Sequence, residues 1–477
     1  MASRRNFLGL AAGLVLPANI VHPVAKPALE SKVGFFDILP SIFGYADMEK
    51  IHKRLLQTSE IIDSVGQLDE TKISSTNQTL HHDGKIAWAY FESWSARFNS
   101  IVPGTAYIDN GKLDGYHGVT MWDVASILNA NTCACLLGFV KHAELLRRAK
   151  SLVALLRKST LQTSFGLLPC VEIVLGRPNK YVDGFDSADV GRLLIALKIL
   201  DNMTEGKAGI DQLVASWQFD KVVIEGKAYC LKNGRLNDVP ANSYTHYAGE
   251  GYRLWGIPVT SPYPKNSDLE SQSQKANFLN LVASAGRIAS EPNITELIEM
   301  GLSAPASLIC DVLLAAQIQR TQESGQLTCV SEGIIDQEPW FTYQSCQVHF
   351  DRSDEWLIES TDEIKAKLIS VKGEALRTIS TKACFLWWAV RPGTYSLRLI
   401  ETARKLAAKP GIGFSSNIYA QDLRPTYCTD VNTNATILEA VTYALSDRTP
   451  MLELSELYGK NPETYPKAVY FVSTKSI

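Results

Sequence analysis

The sequence is short of several features that would place it quickly. Charge of one sign is missing: 47 Lys and Arg stand against 50 Asp and Glu, for a net charge of −3, and no long basic run occurs. Nucleic acid, which is held through its phosphates by clustered Lys and Arg, is therefore not an expected partner. Beyond the amino terminus no stretch approaches the ~18 uninterrupted apolar residues of a membrane span. Histidine is scarce, at 8 in 477 residues, and scattered, which weakens a histidine-based metal or nucleophile site. His81-His82-Asp83 could touch a metal, but an exposed polar turn is the expected reading. The patterns G-x-S-x-G, Walker A, H-E-x-x-H and G-x-G-x-x-G do not occur. The nine cysteines include no C-x-x-C pair, and Cys133-Ala134-Cys135 lies in an apolar run. That pattern indicates buried thiols in place of a zinc or disulfide framework, so no metal is expected.

What is present is globular composition, with 45% hydrophobic and 20% charged residues, enough for two to four domains or one large enclosed one. The amino terminus begins with a short basic segment containing Arg4-Arg5, followed by an apolar run from Phe7 to Leu16. This reads as a signal peptide over residues 1–28, of the twin-arginine type or else an ordinary secretory signal with two arginines. Periplasmic or secreted localisation is the corresponding expectation. Cleavage is expected between Ala18 and Ala28.

Residues 29–80 read as an N-terminal extension, helical over Met48–Ile62 and loop-like over Ser64–Thr79. From residue 81 to 477 apolar residues recur at helical spacing. The periodic segments are Ile86–Phe98, Trp122–Phe139, Ala143–Leu156, Val190–Leu200, Leu297–Gln317, Thr381–Val390, Ser396–Ala408 and Thr433–Leu445. Short β-like pieces occur at Val222–Leu231 and Trp356–Ile358. Paired helices without a fixed period predict an all-α toroid with minor β-hairpins; a solenoid or plain bundle is the competing architecture.

Five polar-aromatic clusters lie mostly where helices start. In Thr120-Met121-Trp122-Asp123 the threonine is a natural N-cap, and Asp123 either complements the helix dipole or faces a cleft. In Asp186-Ser187-Ala188-Asp189-Val190-Gly191-Arg192, Asp189 and Arg192 fall at i, i+3, as a surface pair or a cleft acid held by a cation. Tyr244, Tyr247 and Gly251 share a helical face with Glu250 beside it, and the small residues permit close packing or close ligand approach. Glu332 precedes Glu338-Pro339-Trp340-Phe341-Thr342-Tyr343 in a segment that reads as a pocket loop or a solvated one. Asn432, Thr433 and Asn434 open a helix whose Glu439 falls inside an apolar stretch that capping does not explain. Carboxylates among aromatic rings suit glycosidic hydrolysis, which needs one protonated carboxyl and a second as base or nucleophile.

At these clusters, and at Ser380-Thr381-Lys382-Ala383, the chain resembles a family of bacterial exported or polysaccharide-locus proteins known only as a domain of unknown function and related in architecture to glucoamylase-like α/α toroids. The resemblance covers roughly residues 85–450. It implies an (α/α)6 six-hairpin toroid with a cleft where the inner helices begin, and a role in β-glucan or exopolysaccharide processing alongside other components of a polysaccharide locus.

The expected activity is a glycoside hydrolase or transglycosylase acting on a polysaccharide or oligosaccharide without a cofactor. Asp189 and Glu332 are the first acid and base candidates, Asp123 and Glu439 the next, and Glu250 ranks behind them. Trp122, Tyr244, Tyr247, Trp255, Trp340 and Tyr343 would form sugar platforms, with Arg192, Lys382 and Asn434 holding hydroxyls or a carboxylate. The alternatives are a non-catalytic glycan-binding or scaffold subunit, or a polysaccharide lyase using His246-Tyr247.

Overall fold

Helices that are apolar around their whole circumference must be covered on every side, and this requirement organises the chain. The computed structural model describes residues 48–98, 101–109, 112–116, 118–176, 180–301, 303–360, 369–370, 372–460 and 462. The expected signal peptide over residues 1–28 lies outside the described residues.

The first helices are α1 (Met48–Ser64), α2 (Glu70–Gln78), α3 (Leu80–Phe98), α4 (Met121–Leu136) and α5 (His142–Lys158). Next come α6 (Ser187–Thr204), α7 (Ile210–Ala215), α8 (Ser243–Arg253), α9 (Gln272–Ala285) and α10 (Ser290–Glu299). The last are α11 (Ala304–Ser324), α12 (Thr381–Val390), α13 (Thr394–Ala407), α14 (Val431–Leu445) and α15 (Met451–Lys460). Every residue of α4, α10 and α12 is buried. Six helices, α4, α6, α8, α10, α12 and α14, each pack on the next, and α14 packs back on α4, closing an inner ring. Around it α3 packs on α14, α5 on α4, α7 on α6, α11 on α10 and α13 on α12. This is an (α/α)6 toroid.

The inner helices start on one face. Thr120, Asp186, Asn242 and Asp430 cap α4, α6, α8 and α14 through their side chains, satisfying backbone donors that would otherwise be buried unpaired. Short antiparallel ladders cover the same face: Gly118–Thr120 with Glu172–Val174, Thr378–Ser380 with Asn417–Tyr419, and Cys428–Asp430 with Thr105–Tyr107. A larger sheet joins Glu332–Ile334, Phe341–Gln347 and Glu355–Glu359. At the opposite face α15 lies over the C-terminal ends of α4 and α6, with Tyr458 against Cys135 at 3.3 Å and Ser455 against Asn202 at 3.2 Å. Among the described residues no helix is long and apolar enough to cross a membrane.

Three local expectations are corrected. Ser64–Thr79 is not a loop, because Asp69 caps α2 within it. The run Leu297–Gln317 is two helices: Gly301 takes φ +112°, a conformation open to glycine, and Ser303 caps α11 with Pro305 in its first turn. Val222–Leu231 is not one strand: Val223–Ile224 pairs antiparallel with Lys227–Ala228, and Cys230–Lys232 pairs with Arg235–Asn237.

In Gly249-Glu250-Gly251, Gly251 serves helix packing. A Cβ on Gly251 would stand 1.9 Å from the Gly191 carbonyl oxygen, so α8 and α6 touch through backbone there. G251A should therefore destabilise the fold by about 1–3 kcal/mol through overpacking, read as a lower denaturant midpoint with unchanged slope.

Candidate active site

The inner ring encloses charge. Arg192 on α6 has no exposure to solvent, and its guanidinium meets Glu291 at 3.0 Å, Asn432 at 2.7 Å, Glu439 at 3.4 Å and Glu299 at 3.9 Å. Its guanidinium carbon lies 4.6 Å from the Trp122 ring centre. Asn129 donates to Glu299 at 2.8 Å and to Glu439 at 3.2 Å. Tyr247 donates to Glu299, and Lys382 pairs with Glu291. Three buried carboxylates thus face two cations, Arg192 and Lys382, and neutrality requires one proton on a carboxylate. Burial raises both Glu299, which the neighbouring Glu439 charge pushes further, and Glu439, so the Glu299–Glu439 pair shares that proton.

Above this network, on the face where the inner helices start, are two adjoining cavities. One, of about 320 Å³, is lined by Tyr244, Arg287, Glu291, Glu332 and Tyr343. The other is narrower, about 60 Å³, and is lined by Tyr107, Asp123, Glu172, Trp340, Lys382 and Asp430. Glu332 and Gly333, consecutive on one strand, border the wider and the narrower cavity respectively. The Lys382–Glu291 pair joins them a second time. Tyr244 donates to Glu332 Oε2 at 2.9 Å, and its own phenol is pushed well above the usual range by burial and then by the Glu332 charge. Asp123 Oδ2 accepts from the Thr120 backbone at 3.0 Å and its hydroxyl at 3.1 Å. Asp123 is therefore both a cap and a cavity wall.

The sequence-derived candidates divide accordingly. Glu332, Asp123, Tyr244, Tyr343, Trp340 and Lys382 border the two cavities. Trp122, Arg192, Tyr247 and Glu439 belong to the network beneath them, where Glu439 is fully enclosed. Asp189, expected to pair with Arg192, is half-buried in the first turn of α6, while Arg192 turns inward to Glu291, Glu299 and Glu439. Glu250 pairs with Arg253 and lines a different, open cavity. Trp255 donates to the Leu194 carbonyl at 2.9 Å, as part of the helix packing. Asn434, expected to hold hydroxyls, is fully buried: it accepts from Phe414 N at 2.8 Å and donates to Thr429 at 2.8 Å. His246 and Tyr247 do not form a base pair at these cavities, since their partners are Glu296 and Glu299. Asp83 is not in an exposed turn but is buried in α3 against Arg404, at 2.6 Å. All nine cysteines are free and buried. Glu172, Arg287, Glu291 and Asp430 were missed. Glu291 had one usable signal, since Glu291, Glu296 and Glu299 flank the apolar residues Ile294, Leu297 and Ile298 in one short helix.

A closed ring of paired helices with an acidic, aromatic hollow at the N-terminal ends of the inner set is the architecture of glycosidase-type α/α toroids. Residues 82–447 match the model of DUF3131, described as a protein of unknown function, and the chain belongs to that family. No curated protein matches the sequence. Among solved structures, the fold is similar to a protein assigned as a glucoamylase from Bacteroides uniformis, at TM-score 0.52 and 12% identity over 82% of this chain and 95% of that one. It is also similar to an endo-β-1,2-glucanase from Talaromyces funiculosus solved with sophorose, at TM-score 0.50 and 10% identity over 89% and 92% of the two chains. A β-1,2-glucanase from Parabacteroides distasonis gives TM-score 0.50 and 9% identity over 82% and 60%. At these identities the likeness is one of fold.

Two outcomes follow from the buried network. R192M removes one of its two cations and should cost ~3–5 kcal/mol of stability, seen in denaturant unfolding. Because folding raises Glu299 above its ordinary value near 4.5, the native state binds a proton that the unfolded chain releases. That contribution is full below about pH 4.5 and is lost as pH rises toward the folded-state value. E299Q should flatten the decline, measured as unfolding free energy between pH 5 and pH 8.

Proposed function

We propose that the chain is a glycoside hydrolase, or transglycosylase, acting on a bacterial glucan. The observation that carries this reading is that Asp123 and Glu332, more than 200 residues apart in sequence, border two adjoining ring-lined cavities on the face where the inner helices begin. Cleavage of a glycosidic bond needs two carboxyl groups flanking the bond, one delivering a proton to the leaving oxygen and the other serving as base or nucleophile.

Glu332 is the proposed proton donor. It is almost fully enclosed, stands beside Tyr244 and Tyr343, and shares its hollow with Arg287. Asp123 is the proposed second carboxylate, with its hydrogen bonds from Thr120 holding one oxygen in a fixed position. Asp189 gives up its place to Asp123 because it borders neither cavity. Trp340, with Tyr107 edge-on to it at 5.9 Å, offers a ring face for sugar stacking in the narrower cavity. β-1,2-Glucan is the first substrate to try, because two proteins of similar fold are β-1,2-glucanases. Export by the twin-arginine-type segment at Arg4-Arg5 would bring the protein to a periplasmic or secreted glucan.

The test is release of new reducing ends from a panel of bacterial glucans that includes β-1,2-glucan. E332Q and D123N should each lower kcat by about 100-fold or more while calorimetric binding of the oligosaccharide is kept. Unchanged turnover in both variants would overturn the assignment. Binding without cleavage by the unaltered protein would replace it with a glycan-binding role.

A further inference from the structure

A second constellation lies away from these cavities, where α8 and α10 meet the loop after α8. His246 on α8 places Nδ1 2.6 Å from the Ser261 hydroxyl and Nε2 3.1 Å from a carboxylate oxygen of Glu296 on α10. His246 and Glu296 are nearly fully buried, whereas Ser261 is half-buried. The Tyr263 ring packs on the imidazole at 4.8 Å between centres. A carboxylate only accepts, so the Nε2 hydrogen is directed at Glu296 and Nδ1 is left as the acceptor for the Ser261 hydroxyl. That is the polarity of an activated serine, with the two ring nitrogens exchanged relative to the usual serine–histidine–acid arrangement.

Ser261 also stands between two hollows. On one side, about 330 Å³ is lined by Ala188, Val239, Ala241, Ala248, Val259 and Pro262 among others. On the other, an open cavity of about 650 Å³ is lined by Glu250, Arg253, Lys265, Asn266 and Ser267. Ser261, with its neighbours Val259 and Thr260, borders both. Arg253 is fixed by Glu250 and by the Val259 carbonyl at 2.6 Å, so a cation stands on the open side.

We propose that Ser261, His246 and Glu296 form a separate acyl-transfer site for a short-chain ester of a polyhydroxylated alcohol. The apolar hollow takes the acyl group and the open, polar one takes the alcohol. The Ser261 oxygen adds to the ester carbonyl carbon as its proton passes to His246 Nδ1. Collapse of the adduct breaks the ester C–O bond, and His246 returns the proton to the departing alcohol. Water then adds to the acyl-serine by the same proton route, releasing the carboxylic acid and restoring the hydroxyl. Arg253, paired with Glu250, lines the open cavity that takes the alcohol. Ser261 and His246 touch the reacting atoms, and Glu296 is a positioning residue. This site does not depend on the glucan reading.

The full chain is treated with a fluorophosphonate probe, and the modified peptide is mapped by mass spectrometry, with p-nitrophenyl acetate hydrolysis measured in parallel. Ser261 should be the serine labelled, S261A should lose both signals, and H246Q should slow them by about 100-fold or more. E296Q should lower kcat for the ester with KM unchanged, which a merely structural acid would not do. The mapping on the unaltered protein stands even if a variant fails to fold. An unlabelled Ser261, labelling shared equally with exposed serines, or S261A losing thermal stability in a protein whose Ser261 never reacts would each overturn the proposal.

Discussion

A guanidinium cut off from water is tolerable only where its charge is met inside the protein, and Arg192 imposes that constraint on the whole ring. All six inner helices answer it. Besides Arg192 on α6, α4 brings Trp122 and Asn129, α8 brings Tyr247, α10 brings Glu291 and Glu299, α12 brings Lys382, and α14 brings Asn432 and Glu439. A slip of any helix by one residue would turn its contributor out of the network and strand a charge. The apolar contacts around the ring supply bulk stabilisation, but they tolerate such slips far better than a hydrogen-bonded cluster does.

The network also has a direction. Toward the C-terminal ends of α4 and α6 it is closed over by α15; toward the N-terminal ends it continues into the cavities through Glu291 and Lys382. Glu291 belongs to both parts, as a partner of Arg192 and as a cavity wall. Charge balance below and the electrostatic character of the cleft above are therefore one problem, solved with a single set of side chains. The larger sheet fixes the strand that carries Glu332, which lies within hydrogen-bonding reach of Tyr244.

Much of this was legible from local signals. Thr120 marks a helix start by its capping chemistry, and Asp123 and Tyr244 stood out near helix starts, while Glu332, Trp340 and Tyr343 stood out as a carboxylate and rings in a segment read as a pocket loop. All five border the cavities. What misled were residues whose role depends on a partner far along the chain. Asp189 and Arg192 have the spacing of a local pair, yet the attraction of three enclosed carboxylates prevails over a neighbour one turn away. Asn434 looked like a ligand holder and is instead spent on Phe414 and Thr429. Glu291 escaped notice because its helix is only ten residues long and carries three buried acids, which weakens the apolar period that would have revealed it.

The sequence by itself determined that the chain is built of paired helices, where most of them begin, and that carboxylates and aromatic rings gather at those beginnings. Periodicity and capping are properties of a few neighbouring residues, so they can be read without knowing what lies across the ring. Only the tertiary structure decided which acids share a hollow and which are sealed beneath it. Burial and charge pairing depend on side chains that helix closure brings together from far along the chain, 99 positions apart for Arg192 and Glu291 and 310 for Asn129 and Glu439.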